Sequence, residues 1–120
     1  MSEQELELEL HLALFEDDDR TELLHDERRW IVRSLDHDIF GYGMTQRDAL
    51  LNFFVALDHE VRSAKTEQRK PFDGVPKASE KFVAWWKTKK VRPIRIPREV
   101  AAEAPRRSTI KVMEPEAHAL

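Results

Sequence analysis

The sequence has no cysteine, and only three glycines and one tyrosine among its 120 residues. The absence of cysteine excludes a disulfide scaffold, thiol catalysis and zinc sites built on thiolates. No apolar run reaches the ~18 residues of a membrane span, because charged residues interrupt each candidate. Residues 1–5 are acidic and lack the basic start and apolar core of a signal peptide. We therefore expect a cytoplasmic protein that does not bind membranes.

Charge is abundant and unevenly distributed. Residues 1–60 carry 5 Lys or Arg against 16 Asp or Glu, whereas residues 61–120 carry 15 against 7. Such asymmetry predicts an acidic surface and a basic surface, or attraction between the halves within one fold. The length fits one domain with a modest core.

Leucine occupies positions 6, 8, 10, 12 and 14, with polar residues between most of them. Alternation with a period of two predicts a strand with one buried face, and places Glu5, Glu7, Glu9 and His11 on the other face. The acidic run at 16–19 predicts a turn. The strand is a potential edge strand, whose unpaired backbone groups would be available to another chain.

Residues 29–35 and 39–43 predict a second and a third strand by their β-branched and aromatic content. Gly41 and Gly43 indicate a bulge or a close backbone approach in the third. The apolar period then changes to 3.6, which predicts a long helix capped by Thr45 and ending near 66–68. A shorter helix is predicted at about 78–89. Beyond Val91 prolines recur, which predicts an extended basic tail over residues 91–120 with one helical stretch at 98–104.

Several motifs lie in a specific order within this pattern. Leu35-Asp36-His37-Asp38-Ile39 follows an aromatic and aliphatic strand, and Gly43-Met44-Thr45 precedes Asp48-Ala49-Leu50 at the start of the long helix. This combination resembles the HicB-like family, which contains the antitoxins of HicA–HicB toxin–antitoxin systems and many solitary relatives. The stretch 72–86 is similar to a helix of the solitary members. The resemblance covers about residues 6–88, and its specificity comes from the ordered combination.

The resemblance implies an α+β, partial ribonuclease-H-like fold. A three-stranded antiparallel sheet would carry the long helix on one face, with a shorter second helix and an extended C-terminal tail. The predicted division is a HicB-like domain over 1–90 and a basic tail over 91–120. HicB antitoxins usually end in a DNA-binding module, but here only residues 92–100 look like the beginning of a ribbon-helix-helix. Family members are regarded as non-catalytic binding proteins.

The residues themselves give no support for catalysis. Asp36, His37 and Asp38 are adjacent, but on an extended segment the histidine points away from the two carboxylates. The five histidines show no metal-ligand spacing, and no phosphate-binding loop or nucleophile elbow is present. We therefore predict no catalytic residue, no metal site and no cofactor.

The leading functional hypothesis is a protein-binding module, either an antitoxin or a solitary regulator. Its partner would be a small basic toxin resembling HicA, which cleaves RNA, because an acidic surface speeds encounter with a basic one. Exposed tryptophan is enriched at binding hot spots, and adjacent tryptophans on a helix cannot both enter one small core. The edge strand and the tryptophans also favour a homodimer. The predicted partner-binding residues are Glu5, Glu7, Glu9, Asp17, Asp18, Asp19, Trp85 and Trp86.

The alternative hypothesis is a nucleic-acid-binding regulator. Its basic tail would contact phosphates, although the tail lacks interleaved aromatic residues for stacking single strands. A solvated tail, or one that pairs with the acidic half of a neighbour, explains the same charges. The residues assigned to this alternative are Lys89, Lys90, Arg92, Arg95, Arg98, Arg106 and Arg107.

Overall fold

The computed structural model describes residues 8–17, 29–105 and 108–116. Within them the chain forms five strands and three helices. In chain order these are β1 (Leu8–Asp17), β2 (Arg29–Ser34), β3 (Phe40–Gly43), α1 (Gln46–Thr66), α2 (Glu80–Lys87), β4 (Val91–Ile94), α3 (Arg98–Ala101) and β5 (Ser108–Pro115). The predicted α+β class is confirmed. Over these ranges no helix combines the length and the apolar character needed to cross a bilayer.

The strands form one mixed sheet in the order β3-β2-β1-β5-β4. The β1–β2, β2–β3 and β4–β5 pairs are antiparallel, and the β1–β5 pair is parallel. The prediction of a three-stranded antiparallel sheet is therefore wrong, because β5 and β4 extend the sheet beyond β1. The extended C-terminal tail is wrong for the same reason, since residues 91–94 and 108–115 are strands of this sheet.

The prolines of the C-terminal quarter lie where strands tolerate them. Pro93 is in β4, an edge strand, where a missing N–H need not break the ladder. Pro105 precedes β5 and Pro115 is its last residue. Between them Val112 is buried and Ile110 packs against the same core. The prolines on either side of β5 thus made its alternation of core-facing and solvent-facing side chains hard to recognise in the sequence.

The central strand is β1, which is hydrogen-bonded to β2 on one side and β5 on the other. The prediction that it is an edge strand is therefore wrong. It also continues through Asp17, which pairs with Arg29 where the sequence predicted a turn. The register pairs Leu8–Ala13 with β5 and Leu12–Asp17 with β2, so the middle of β1 is paired on both sides.

Both faces of β1 contribute to the core. Leu10, Leu12 and Leu14 are buried on the face that carries α1, as the alternation predicts. Ala13 and Phe15 lie on the opposite face and pack with residues of α2. The prediction of a single buried face therefore fails at the C-terminal half of the strand.

The long helix α1 covers one face of the sheet. Its N-cap is Thr45, whose side-chain oxygen accepts a hydrogen bond from the Asp48 N–H at 3.1 Å. The helix ends at Thr66, near the predicted end, and Val100 of α3 joins its core. The residues that α1 buries recur at helical spacing: Ala49, Leu50, Phe53, Phe54, Leu57 and Ala64.

The short helix α2 lies on the other face. Ser79 caps it by accepting a hydrogen bond from the Phe82 N–H, and Phe82 and Trp86 pack onto Ala13. Five strands at about 4.8 Å spacing are wider than one helix of about 10 Å diameter. One helix therefore cannot cover this face, and part of β2 and β3 remains open beside α2.

Candidate binding groove

The open part of the sheet is shaped by two glycines in β3. A Cβ atom on Gly41 would lie 2.3 Å from the Phe53 nitrogen, and one on Gly43 would lie 2.3 Å from the Ala49 nitrogen. The backbone of α1 thus approaches β3 closely on the face opposite the open part, which confirms the predicted close approach. The Asn52 side-chain amide of α1 donates a hydrogen bond to the backbone carbonyl of Tyr42 in β3 and so links the helix to the strand.

Because strand side chains alternate, the residues between and before the glycines point to the opposite face. Phe40 and Tyr42 are 41% and 43% exposed there, and their rings meet edge to face at 5.1 Å. Arg29 of β2 places its guanidinium 5.3 Å from the centre of the Tyr42 ring. Close packing on one side of β3 therefore accompanies an exposed aromatic pair on the other.

The helix α2 forms the facing wall, and its adjacent tryptophans point in different directions. Trp86 is buried at 6% exposure, whereas Trp85 is 41% exposed. The Trp85 ring lies 5.3 Å from the Phe15 ring of β1, and the ammonium of Lys89 lies 4.9 Å from its centre. Trp86 thus belongs to the core, and Trp85 presents an aromatic surface to solvent.

These walls enclose a groove of about 480 Å³. We call it the aromatic groove. It is lined by Phe15, Ile31, Arg33, Phe40, Tyr42, Ser79, Lys81, Phe82 and Trp85.

The strand register arranges the floor of the aromatic groove in two rows. Ile31 pairs with Tyr42 on one side and Phe15 on the other, which gives an apolar row across three strands. Arg33 pairs with Phe40, which gives a second row with a cation at its centre. Side chains two residues apart on a strand are separated by about 7 Å. The groove therefore has an apolar part and a basic part.

Two cations line the groove, Arg33 from the second row and Lys81 from α2. The Arg33 guanidinium lies 4.1 Å from the centre of the Phe82 ring and 3.7 Å from a carboxylate oxygen of Asp38. Lys81 is exposed on the first turn of α2 and has no ion-pair partner within the described ranges. Among the residues that the structure describes, no carboxylate lines the groove. The described lining of the aromatic groove thus carries only positive charge, in a chain of net charge −3.

The described members of the predicted partner-binding set lie in different surroundings. Glu9 is exposed and lies 3.5 Å from His11, whereas Trp85 lines the aromatic groove and Trp86 is buried. Asp17 belongs to β1. The remaining predicted members lie outside the described residues: Glu5, Glu7, Asp18 and Asp19.

The predicted nucleic-acid residues are divided between the two faces of the sheet. Lys89 rests on Trp85 on the side of α2. Arg92 is paired with Glu114 at 2.7 Å, and Glu114 also accepts a hydrogen bond from Gln46 at the start of α1. The exposed members Lys90, Arg95 and Arg98 flank the edge strand β4, the first before it and the other two after it, and the last two, Arg106 and Arg107, lie outside the described residues.

The Asp36–Asp38 turn has a structural explanation. The Ser34 hydroxyl accepts hydrogen bonds from the N–H groups of Asp36 and His37, both at 3.1 Å. The His37 ring stacks on Phe72 at 4.3 Å, while Asp38 faces Arg33. Over residues 8–17, 29–105 and 108–116, no three side chains of the kinds that bind metals form a group.

The strongest electrostatic cluster links the end of α1 to the following turn. Arg69 donates to both carboxylate oxygens of Glu60, at 2.6 and 3.1 Å, and the Phe72 N–H donates to the same carboxylate at 2.8 Å. The hydrogen bond from Arg69 lowers the pKa of Glu60, against the opposing effect of burial. The cluster also holds Phe72 at a φ of 74°. Because its groups satisfy one another, we assign it a structural role.

A second depression of about 360 Å³ lies between α1 and α3. Val55 is exposed at its edge, but Arg62 and Asp58 on its rim form an ion pair at 2.9 Å. It brings together neither exposed aromatic rings nor unpaired cations, and the aromatic groove is the stronger candidate.

Of the residues that line the aromatic groove, only Trp85 is among those that the sequence predicts to bind a partner. Phe40 and Tyr42 carried a usable signal, because glycines alternate with aromatic residues at 40–43 and only one face of β3 can be crowded. Arg33 and Lys81 carried none, since they come together only when α2 packs on the sheet. Comparisons of the chain with protein-family models, with curated proteins and with solved structures find no match.

Proposed function

We propose that this chain is a non-catalytic protein-binding module whose partner docks in the aromatic groove. The observation that carries the proposal is the convergence of exposed Phe40, Tyr42 and Trp85 on one groove of about 480 Å³. Aromatic side chains with cations beside them are enriched at the energetic centres of protein interfaces. A small chain gains little stability by leaving three such rings in water, which favours a binding role for them.

The finer proposal, a HicB-like antitoxin or solitary regulator of the cytoplasm, rests on the sequence motifs at residues 35–50. The charge of the groove bears on how such a protein would bind. A basic toxin would be repelled by Arg33 and Lys81, so its contact surface would be the acidic residues, of which Glu9 is exposed. An acidic partner segment would instead enter the aromatic groove.

Nucleic acid is the less favoured partner class. Arg92 is neutralised by Glu114, and the basic residues are divided between two faces of the sheet. A duplex needs cations that follow one continuous surface. The arrangement therefore supports protein binding over the basic-tail alternative.

The antitoxin proposal is tested by co-expressing the chain with the product of the adjacent gene. We expect a complex that survives gel filtration and restores growth when that product is toxic. The same experiment with Trp85→Ala and Phe40→Ala reports whether the groove takes part, and Lys87→Glu serves as a control on α2 outside the groove. If the neighbour neither binds nor inhibits growth, the antitoxin version is wrong and the solitary one remains.

A further inference from the structure

The two rows of the aromatic groove define what can occupy it. The apolar row (Phe15, Ile31, Tyr42) accepts a bulky apolar side chain beside Trp85, because burial there removes several rings from water. Arg33 lies two residues along β2 from Ile31, about 7 Å from the apolar row, which is the distance between alternate side chains of an extended segment, and Lys81 of α2 lines the same groove. An occupant that matches both rows combines an apolar anchor with a carboxylate two residues from it.

The sign of the charge restricts the occupant further. The described part of the chain contributes no carboxylate to the lining of the groove. Arg33 has one carboxylate neighbour at 3.7 Å, beyond hydrogen-bond distance, and Lys81 has no ion-pair partner within residues 8–17, 29–105 and 108–116. A ligand carboxylate would therefore gain two cationic neighbours without displacing a strong existing pair. A neutral or basic segment would leave Lys81 uncompensated.

The rings are arranged for side-chain anchoring more than for base stacking. Single-stranded nucleic acids bind on aromatic faces that are open to the bases. Here Arg29 lies against Tyr42, Lys89 lies against Trp85, and Phe40 meets Tyr42 edge to face. The faces that remain line an open groove of about 480 Å³.

We propose that the aromatic groove binds a short acidic segment of a partner protein, with a bulky apolar side chain against Trp85 and Tyr42 and a carboxylate at Arg33 and Lys81. This inference rests on the proposed function and adds the chemistry of the partner. It predicts a motif in which Asp or Glu lies two residues from Phe, Leu or Trp. Recognition combines a hydrophobic anchor with a charge pair, so neither feature alone suffices.

The test is selection of random short peptides displayed on phage against the full chain, with counter-selection against Trp85→Ala. We expect the recovered peptides to be enriched in Asp and Glu near one large apolar residue. Synthetic copies are then titrated by fluorescence polarisation against the wild type and variants. Replacing the peptide carboxylates by amides should weaken binding about fivefold, the value of one well-placed charge pair.

The variants separate the two parts of the site. Trp85→Ala should weaken binding about tenfold or more, as expected for an aromatic anchor. Lys81→Glu should weaken it about fivefold or more, whereas Lys87→Glu, with the same change in net charge, should stay within about twofold. Phe40→Ala gives an independent test of the groove, because this exposed ring contributes little to the core. Unfolding curves of each variant show that the fold is retained.

The outcomes distinguish this inference from the proposed function. Recovery of groove-dependent peptides that are neutral or basic overturns the acidic-segment inference and leaves the protein-binding proposal standing. Recovery of no peptide, or of peptides insensitive to Trp85→Ala and Phe40→Ala, overturns both. Tighter, salt-sensitive binding of an oligothymidylate that displaces the peptides assigns the groove to nucleic acid. Self-association that Phe40→Ala abolishes, seen by sedimentation, assigns it to a second copy of this chain.

Discussion

The contact between β3 and α1 gives the most quantitative prediction of this structure. In Gly41→Ala, the new Cβ would lie 2.3 Å from the Phe53 nitrogen and 2.8 Å from the Ala49 carbonyl oxygen. Both atoms belong to the backbone of α1, so no rotamer change relieves the overlap. Ordinary contact begins near 3.4 Å, so the helix must move about 1.1 Å away from β3.

That displacement has a definite cost. Overpacking of this kind costs about 1–3 kcal/mol, and a gap of about 1 Å forfeits up to half of the dispersion energy of each contact it opens. Alanine lowers the conformational entropy of the unfolded chain, which stabilises the folded state by less than about 1 kcal/mol and offsets only part of this cost. We expect Gly41→Ala to lower the free energy of unfolding by about 2–3 kcal/mol, or roughly 10 °C in Tm for a chain of this size.

The assay is urea unfolding followed by circular dichroism, with the slope compared between variants. Gly74→Ala is the matched control, since its Cβ would meet no atom within 4 Å and its φ of 86° alone carries a cost of about 1–2 kcal/mol. A Gly41→Ala protein as stable as the wild type would refute the account of β3, and with it the reason that Phe40 and Tyr42 face solvent.

Three further predictions concern stability. Trp86→Ala should cost about 3–5 kcal/mol because the ring is buried, and the partly exposed Trp85→Ala should cost clearly less; equal losses in urea unfolding would contradict the assignment of the two rings. The pKa of Glu60 is lowered in the folded state, so its contribution to the free energy of unfolding is complete above the ordinary glutamate pKa and is lost as the pH falls through the lowered value. Glu60→Gln should flatten this dependence of stability on pH in unfolding curves measured across the acidic range. An unchanged pH dependence would contradict the role of Glu60. Removal of residues 91–120 should abolish cooperative unfolding, because the loss of β5 would leave β1 paired with β2 alone and would remove Val100 and Val112 from the core; a truncated chain with a sharp transition would show that β4 and β5 are dispensable.

Local patterns were sufficient to predict the elements of the first two thirds of the chain. The leucine alternation predicts β1, the glycines predict the close approach of β3 to α1, and Thr45 predicts the start of α1. In each case the signal is contained in a few consecutive residues. The C-terminal boundary of β1 was less predictable. The strand continues into the acidic residues, where Asp17 pairs with Arg29 of β2.

Pairing across long sequence distances was not predictable in the same way. The β1–β5 pair joins residues about one hundred positions apart, and nothing local marks β5 as its neighbour. The prolines near β4 and β5 favoured a prediction of extended, unpaired chain, although an edge strand accommodates Pro93. Local patterns consequently predict that β1 is an edge strand and that the C-terminal segment lies outside the sheet.

The candidate site was also only partly predictable, because its residues come from separate segments of the chain. The sequence predicts that one of Trp85 and Trp86 is an interface anchor, because two adjacent tryptophans cannot share one small core, but it does not distinguish between them. The neighbours of Trp85 in the aromatic groove come from three strands and a helix, and the basic part of the groove depends on where α2 crosses β2. A pattern within one segment cannot show that Arg33 and Lys81 share a surface with Trp85.

The central claim is that the partner binds in the aromatic groove. The most direct measurement is a nuclear magnetic resonance titration of the isotope-labelled full chain with a selected acidic peptide, following the backbone amides and the tryptophan indoles. We predict that the largest shifts occur at the Trp85 indole and at the amides of Phe40 and Tyr42, with the Trp86 indole little affected. Shifts concentrated on Arg92 and Arg95 of the C-terminal segment, with the Trp85 indole unmoved, would contradict the account.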